Sequence, residues 1–273
     1  MLTADLRDSP GPPRDITDRS AMAPLLAEAD GIVHLAAVSR VVDAQRNPDR
    51  CWAVNADATR DLLDAAIASP RRPWVIYASS REVYGQQDVF PVTEDAEFRP
   101  LNIYARSKVE AERLCGNARA AGLRTSIVRF SSVYGSVDDH ATRVVPAFIR
   151  GGVAGTTLNV EGRDHAFDLT HVDDVVRGVL AIIDQLHAGE AALPPIHFTS
   201  GTALRLADLA EKAIALGGNR AALQFTAPRT YDISHFVGDP SRARTLLGWQ
   251  ATTSLDEGLA RLARDFAALL ISR

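Results

Sequence analysis

Trp74-Val75-Ile76-Tyr77-Ala78 is an unbroken apolar run closed by Ser79-Ser80, and its reading decides the fold. Such a run predicts a buried strand. Upstream, Ile32-Val33-His34-Leu35-Ala36 after Gly31 has the same character. Between the two, Val54, Ala58, Leu62, Ala65 and Ala66 recur at three- and four-residue steps, the stripe of an amphipathic helix that ends before Pro70. Strand, helix, strand in that order predicts βα units, an α/β fold and a parallel sheet.

The alternation continues downstream. A turn-rich stretch from Gly85 to Pro100 leads into a helix from about Asn102 to Ala121 that Gly122 closes, and Ser126-Ile127-Val128-Arg129-Phe130 supplies the next strand. Val172, Val176, Val179 and Ile183 stripe another helix, and Pro195-Ile196-His197-Phe198-Thr199 forms a short strand. After Ser200 helices are expected to dominate. The last has Leu255, Leu259, Leu262, Phe266 and Leu269 on one face, opened by Ser254 and Glu257 as a capping box.

Composition narrows the function classes. In 273 residues, 30 lysines and arginines face 34 aspartates and glutamates, a net charge of −4, which gives no footprint for nucleic acid. Cys51 and Cys115 are too few and too far apart for a disulfide framework or a zinc knuckle, so a reducing, cytoplasmic setting is expected. Neither a signal peptide nor a membrane span is read from the sequence.

Ligands of open parallel sheets sit outside the carboxyl ends of the strands, so residues just past each strand are where chemistry is sought. Tyr104 and Lys108 lie four residues apart on a predicted helix and therefore share a face. A free tyrosine titrates near ~10, too high for a base at neutral pH, and a neighbouring cation lowers it. The same spacing serves equally well for a packed ring beside a solvated ammonium. Ser80, directly after the Trp74 strand, stands where a hydroxyl can polarise a reacting alcohol or carbonyl, or else simply starts a turn.

Taken in order, these segments resemble the extended short-chain dehydrogenases/reductases, specifically the NAD-dependent sugar-nucleotide epimerases and dehydratases. His34-Leu35-Ala36-Ala37 is similar to the strand end beside the cofactor, Asn55 with Thr59 to an Asn-x-x-x-Thr helix, and Tyr104 with Lys108 to the catalytic pair, with Ser80 as the active-site hydroxyl. Arg129 to Gly135 and Phe167 to Asp174 resemble the segments around the substrate lobe, and Gly238-Asp239-Pro240-Ser241 through Trp249 the closing lobe. The resemblance implies a Rossmann-type doubly wound sheet over 1–135 and 166–200, and a smaller substrate lobe over 136–165 and 201–273. It implies NAD as cofactor, held by Asp5, Asp15, Ile16, Leu35, Ala36, Ala37, Asn55, Tyr104 and Lys108. It also implies a nucleotide-sugar substrate held by Ser80, Ser132 and Arg229, and a homodimer through the helices of Asn55 and Tyr104. Tyr104 would take a proton from a sugar hydroxyl as hydride leaves for NAD, and return of the hydride to the other face would epimerise the sugar through a transient 4-keto stage.

The sequence departs from that pattern in places. The family opens with a strand and a Gly-x-x-Gly-x-x-Gly loop that cradles the cofactor diphosphate, and none of the 18 glycines here forms one. Leu2-Thr3-Ala4-Asp5 is then expected to end the family's second strand, with Asp5 at the adenosine ribose and Asp15-Ile16 at the adenine. The first βα unit, about 30 residues, is expected to be missing. That implies either a start displaced past the unit or a shortened, non-catalytic relative with weakened NAD binding. Ser132 stands for a substrate-contacting asparagine, and Phe167 for a phosphate-binding arginine that Arg163 would replace. Glu82 follows Arg81 where dehydratases carry an Asp-Glu pair, which favours an epimerase, with a dehydratase, a decarboxylase or an NADPH-dependent reductase as alternatives. Asp5 argues against NADPH, whereas Arg7 leaves it open.

Other features read as structural. His165, Asp168, His171, Asp173 and Asp174 fit no zinc spacing, and the last two suit a helix N-terminus, so no metal is expected. Trp52, Trp74 and Trp249 read as packing, and the two cysteines as buried small residues.

Overall fold

The computed structural model describes residues 2–6, 14–189 and 193–271. Arg7 lies outside them. The chain forms two compact units, the first made of Met1–Gly85, Glu97–Arg129 and Ile182–Ile196, the second of Gln86–Ala96, Phe130–Ala181 and His197–Arg273.

In the first unit, Asp18 caps α1 (Arg19–Glu28) by accepting from the Ser20 and Ala21 amides. Strand β1 (Gly31–His34) runs parallel to β2 (Trp74–Ser80), with Gly31 opposite Trp74 and His34 opposite Tyr77. A Cβ on Gly31 would lie 1.9 Å from the Trp74 indole, so the position admits only glycine. The crossover from β1 to β2 carries α2 (Val41–Arg46), α3 (Pro48–Trp52) and α4 (Ala58–Ala68). Between α3 and α4, Ala53–Asp57 forms one wide π-helical turn in which the Ala58 amide reaches back to the Ala53 carbonyl. Helix α5 (Ile103–Ala120) connects β2 to β3 (Thr125–Phe130), and the sheet order is β1-β2-β3-β7, with β7 at Ile196–Phe198. Leu62, Val75, Tyr77, Leu114 and Ile127 fill the layer between helices and sheet.

The expected strands at 74 and 126 and the helix from about 102 are present, and Gly122 closes that helix at φ +84°. Two expectations fail. Leu2–Asp5 is not a strand: the Asp5 carbonyl accepts instead from the Arg14 amide at 2.8 Å. A strand needs a ladder partner, and among the described residues β1 is the sheet's edge. The run Ile32–Ala36 is also less buried than expected, its strand ending at His34 with Leu35 exposed, whereas the helix through Val54 is present with its apolar stripe and contains the wide turn.

The second unit is built on β6 (Ala166–His171), flanked by β4 (Ser132–Tyr134) and β10 (His235–Phe236) in parallel and by β8 (Ala203–Arg205) antiparallel. A separate pair joins β5 (Leu158–Glu161) to β9 (Leu223–Thr226). The helices are α6 (Val144–Ala154), α7 (Val172–His187, in this unit as far as Ala181), α8 (Leu206–Leu216), α9 (Ser241–Leu247) and α10 (Leu255–Ile271). Ser254 opens α10 by accepting from the Glu257 amide, one of the two bonds of a capping box. The tail beyond Ser200 is thus helical with three short strands that the sequence reading did not separate from loops. Among the described residues no helix is long and apolar enough to cross a membrane.

Candidate active site

Alternation along β2 sends its two terminal serines to opposite sides. Ser79 turns toward α5, where its hydroxyl donates to Glu112. Ser80 ends the strand, and its hydroxyl accepts from the Glu82 amide at 3.2 Å, opening the tight turn Arg81–Tyr84. Glu82 is buried; its carboxylate accepts from the Asn102 amide at 3.2 Å and lies 3.3 Å from the Arg81 guanidinium. Asn102 in turn caps α5, accepting from the Ala105 amide at 2.8 Å. One side chain therefore ties the turn after Ser80 to the first turn of the helix that carries Tyr104. The sequence reading placed Asn102 at the helix start without assigning it this second tie.

Tyr104 and Lys108 share a face of α5 and both are buried. The Lys108 ammonium lies 5.8 Å from the centre of the Tyr104 ring and 4.8 Å from that of Tyr77, and donates at 2.7 Å to the Ala78 carbonyl. The lysine is thus anchored on the strand that ends in Ser80, two residues before it. Burial pulls its pKa down to about 8. An ammonium has three donors, and Ala78 takes one.

His34, opposite Tyr77, is held neutral: burial first, and Lys108 second, lower its pKa to about 3. Its tautomer follows from its partner. The Thr59 hydroxyl donates its one proton to the Asn55 carbonyl at 2.8 Å, so it must accept from His34 Nε2–H at 2.9 Å. Asn55, in the wide turn, accepts from the Val38 amide at 2.8 Å and donates to Ser107 Oγ at 2.9 Å and to the Val38 carbonyl at 3.2 Å. Its side chain staples the segment after β1 to α5. That segment, Leu35-Ala36-Ala37, leaves Leu35 exposed and the two small alanines half-buried.

The remaining sequence candidates are dispersed. Asp15 accepts from the Thr17 amide and hydroxyl and from Arg50 at 2.7 Å, and the Thr17 amide foremost holds its carboxyl below the usual range. Ile16 packs on the core layer, and Asp5 is exposed. Ser132 and Arg229 belong to the second unit. Ser132 sits opposite Leu169 on β4, and Arg229 is paired with Asp232 at 2.9 Å and Glu161 at 3.1 Å. Phe167 is buried opposite Phe236, while the Arg163 guanidinium stacks 4.7 Å from the centre of the Phe225 ring. Trp74 and Trp249 are buried in the core, whereas Trp52 is 38% exposed and is not core packing, which leaves the interface half of the expectation for it.

The donor set of the first unit suits the nicotinamide-ribose half of a dinucleotide. A buried ammonium with two further N–H donors and a phenol one helical turn away offer ribose-binding groups on one face of α5. No glycine-rich diphosphate cradle occurs in the sequence.

Comparisons with known proteins identify the fold and the family. The chain is 29% identical over 248 residues to the low-salt glycan biosynthesis protein Agl12 of Haloferax volcanii, covering 90% of this chain and 78% of that one. It is 28% identical over 265 residues to UDP-glucuronic acid decarboxylase 1 of Danio rerio, covering 93% of this chain but only 61% of the relative's length. Among solved structures, the UDP-glucose 4-epimerase of Thermotoga maritima with UDP-glucose superposes with a TM-score of 0.87 at 25% identity, over 94% of this chain and 84% of that one. This likeness fixes the fold as Rossmann-like α/β. The model of the NAD dependent epimerase/dehydratase family matches residues 7–194, a span that holds Ser80, Tyr104, Lys108 and Asn55. That match covers well over half of the chain, and the chain is a member of the NAD dependent epimerase/dehydratase family, a family of enzymes.

Proposed function

We propose that the chain is an NAD-dependent epimerase of a nucleotide-sugar that works through a transient 4-keto stage. The observation that carries this reading is Lys108, buried beside Tyr104 and bonded to the strand that ends in Ser80. Tyr104 accepts the proton of the sugar hydroxyl and later returns it. Lys108 favours the phenolate and binds the nicotinamide ribose with its two further donors. Ser80 hydrogen-bonds the same sugar oxygen. NAD, when bound, takes up the hydride and gives it back.

Leu35, Ala36 and Ala37, with Asn55 holding their loop, line the nicotinamide side, while Asp5, Asp15 and Ile16 serve the adenosine. Ser132 and Arg229 contact the nucleotide-sugar, Arg229 remaining braced by its two carboxylates. In this reading the sheet unit takes NAD, the second unit takes the sugar, and the helices of Asn55 and Tyr104 pair two copies into a homodimer. Light scattering of the purified chain reads that last point.

The test is conversion of UDP-glucose or UDP-glucuronic acid to its C4 epimer by the full chain with NAD, followed by proton NMR. Tyr104→Phe is expected to lower turnover at least about a hundredfold, and unchanged turnover would remove Tyr104 from the role. Glu82, buried and held by Asn102 next to Ser80, favours a second reading, a decarboxylase or dehydratase acting on the same 4-keto stage. Release of carbon dioxide or water from the sugar, in place of an epimer, would select it. Net consumption of NADPH would select a reductase, and no calorimetric response to NAD a non-catalytic relative.

A further inference from the structure

We propose that the buried Glu112–Arg129 ion pair is a positioning device, holding the helix of Tyr104 and Lys108 in register with the strand end that carries Ser80. This rests on the epimerase reading for its kinetic consequences and on geometry for its structure.

Glu112 lies four residues beyond Lys108 and eight beyond Tyr104, on the same face of α5. Arg129 grips its carboxylate in a fork, Nε to Oε1 at 2.9 Å and Nη2 to Oε2 at 2.7 Å, and the two side chains are 4% and 5% exposed. The Ser79 hydroxyl donates to the same Oε1. From its other side Arg129 donates to the Tyr84 hydroxyl at 2.6 Å, and its guanidinium lies 4.7 Å from the centre of the Phe98 ring. The pair thus gathers α5, the end of β2, the turn after Ser80 and the end of β3.

Two successive residues of β2 are tied to two successive turns of α5. The Ala78 carbonyl holds Lys108, and the Ser79 hydroxyl holds Glu112. A single tie would let the helix pivot; two ties, one turn apart, fix both its height and its rotation. Stability alone does not account for the choice of charges, because an apolar pair of like volume commonly serves a protein interior as well or better. What an apolar pair lacks is direction: a bidentate fork has one geometry, and a greasy contact has many.

The test uses the full chain and the double variant E112L/R129M, with Ser79→Ala as a milder cut that leaves the ion pair intact. The double variant is expected to keep the far-ultraviolet circular dichroism of the parent, with the thermal midpoint lowered only by the orphaned Ser79 hydroxyl. Its kcat should fall roughly tenfold or more while the KM for UDP-sugar stays within about twofold, and the acid limb of its kcat-pH profile should move upward as Lys108 is displaced from Tyr104. Ser79→Ala should show the same split at smaller size. Parental kcat in both variants would overturn the proposal, as would a kcat loss that only follows loss of the folded fraction. If the double variant does not fold, Ser79→Ala decides by the same split. If the parent itself does not turn over, the epimerase reading fails separately. The device is then read from tyrosinate absorbance, taking the Tyr104→Phe difference: a raised midpoint in the variants supports it, and an unmoved one overturns it.

Discussion

Glu112 in the first unit and Asp168 in the second are both carboxylates sealed from water, and they are satisfied by opposite means. Glu112 faces a guanidinium. Asp168 faces neutral donors: the amides of Ser200 and Gly201 at 2.8 Å each, the Ser200 hydroxyl at 2.8 Å, and the Thr199 hydroxyl. The contrast extends further. The first unit also buries the Lys108 ammonium, whereas Asp174 of the second is met by the amides of Thr252 and Thr253 and by a half-exposed Arg177. Neutral donors fasten a loop whatever the protonation of its neighbours. Counter-charges fasten it in a way that other charges can disturb, which suits the proposed reaction, in which Tyr104 gains and returns a proton.

The largest expected effect follows from removing one charge of a buried pair. Glu112→Ala leaves Arg129 uncompensated and should cost about 3–5 kcal/mol in denaturant unfolding. Next comes acid stability. The folded-state pKa of His34 lies far below its unfolded value of about 6.5, so the unfolded chain binds the extra proton. Stability contributed by neutral His34 is full above pH ~6.5 and is lost as pH falls toward about 3, a loss on the order of 5 kcal/mol. His34→Gln, which keeps an N–H toward Thr59, should flatten that slope. Burial raises the Asp174 pKa, but the Thr252 and Thr253 amides outweigh it, so its contribution persists above 3.8 and disappears only below. Burial lowers the His171 pKa in the second unit as well, so hydrogen exchange should show both units loosening as pH falls below 6.5, with the first unit's response alone flattened in His34→Gln; an unchanged response in that variant would overturn the assignment.

Asp168→Ala should cost less than Glu112→Ala, about 2–3 kcal/mol, because the donors it orphans are neutral. An equal or larger loss would mean that residual charge is not what separates the two sites. The smallest effect is kinetic. Lys108 loses its proton as pH rises through about 8, so the support for the phenolate goes with it and turnover should decline by up to about tenfold per pH unit above that point. An alkaline limb that stays flat to pH 10 would detach Lys108 from the proton chemistry.

What the sequence disclosed was what is local. The strand at Trp74, the helix from Asn102 and the cap at Ser254 each rest on a run or spacing within one element, and all three stand in the structure. Tyr104 and Lys108 were legible as a pair because helical spacing alone puts them on one face. Glu112 obeys the same spacing, but its partners Arg129 and Ser79 come from two strands, and no periodicity announces a contact between separate elements. The short strands β4, β8 and β10 escaped for a related reason: two or three residues carry no period. The segment Leu2–Asp5 was assigned by likeness rather than by its own pattern, and there the assignment as a strand failed.

The wide turn at Ala53–Asp57 has a consequence for how this chain tolerates change. It gives the helical run one residue more than a regular turn would hold, and that surplus lets Asn55 reach Val38 and Ser107 while Thr59, a turn later, still meets His34. Trimming a single residue there would swing everything from Pro48 to Trp52 through about 100°. The Leu35-Ala36-Ala37 loop would be cut from its mooring without any of its own residues being touched, so a deletion where the helix looks irregular would act on a loop well away in sequence.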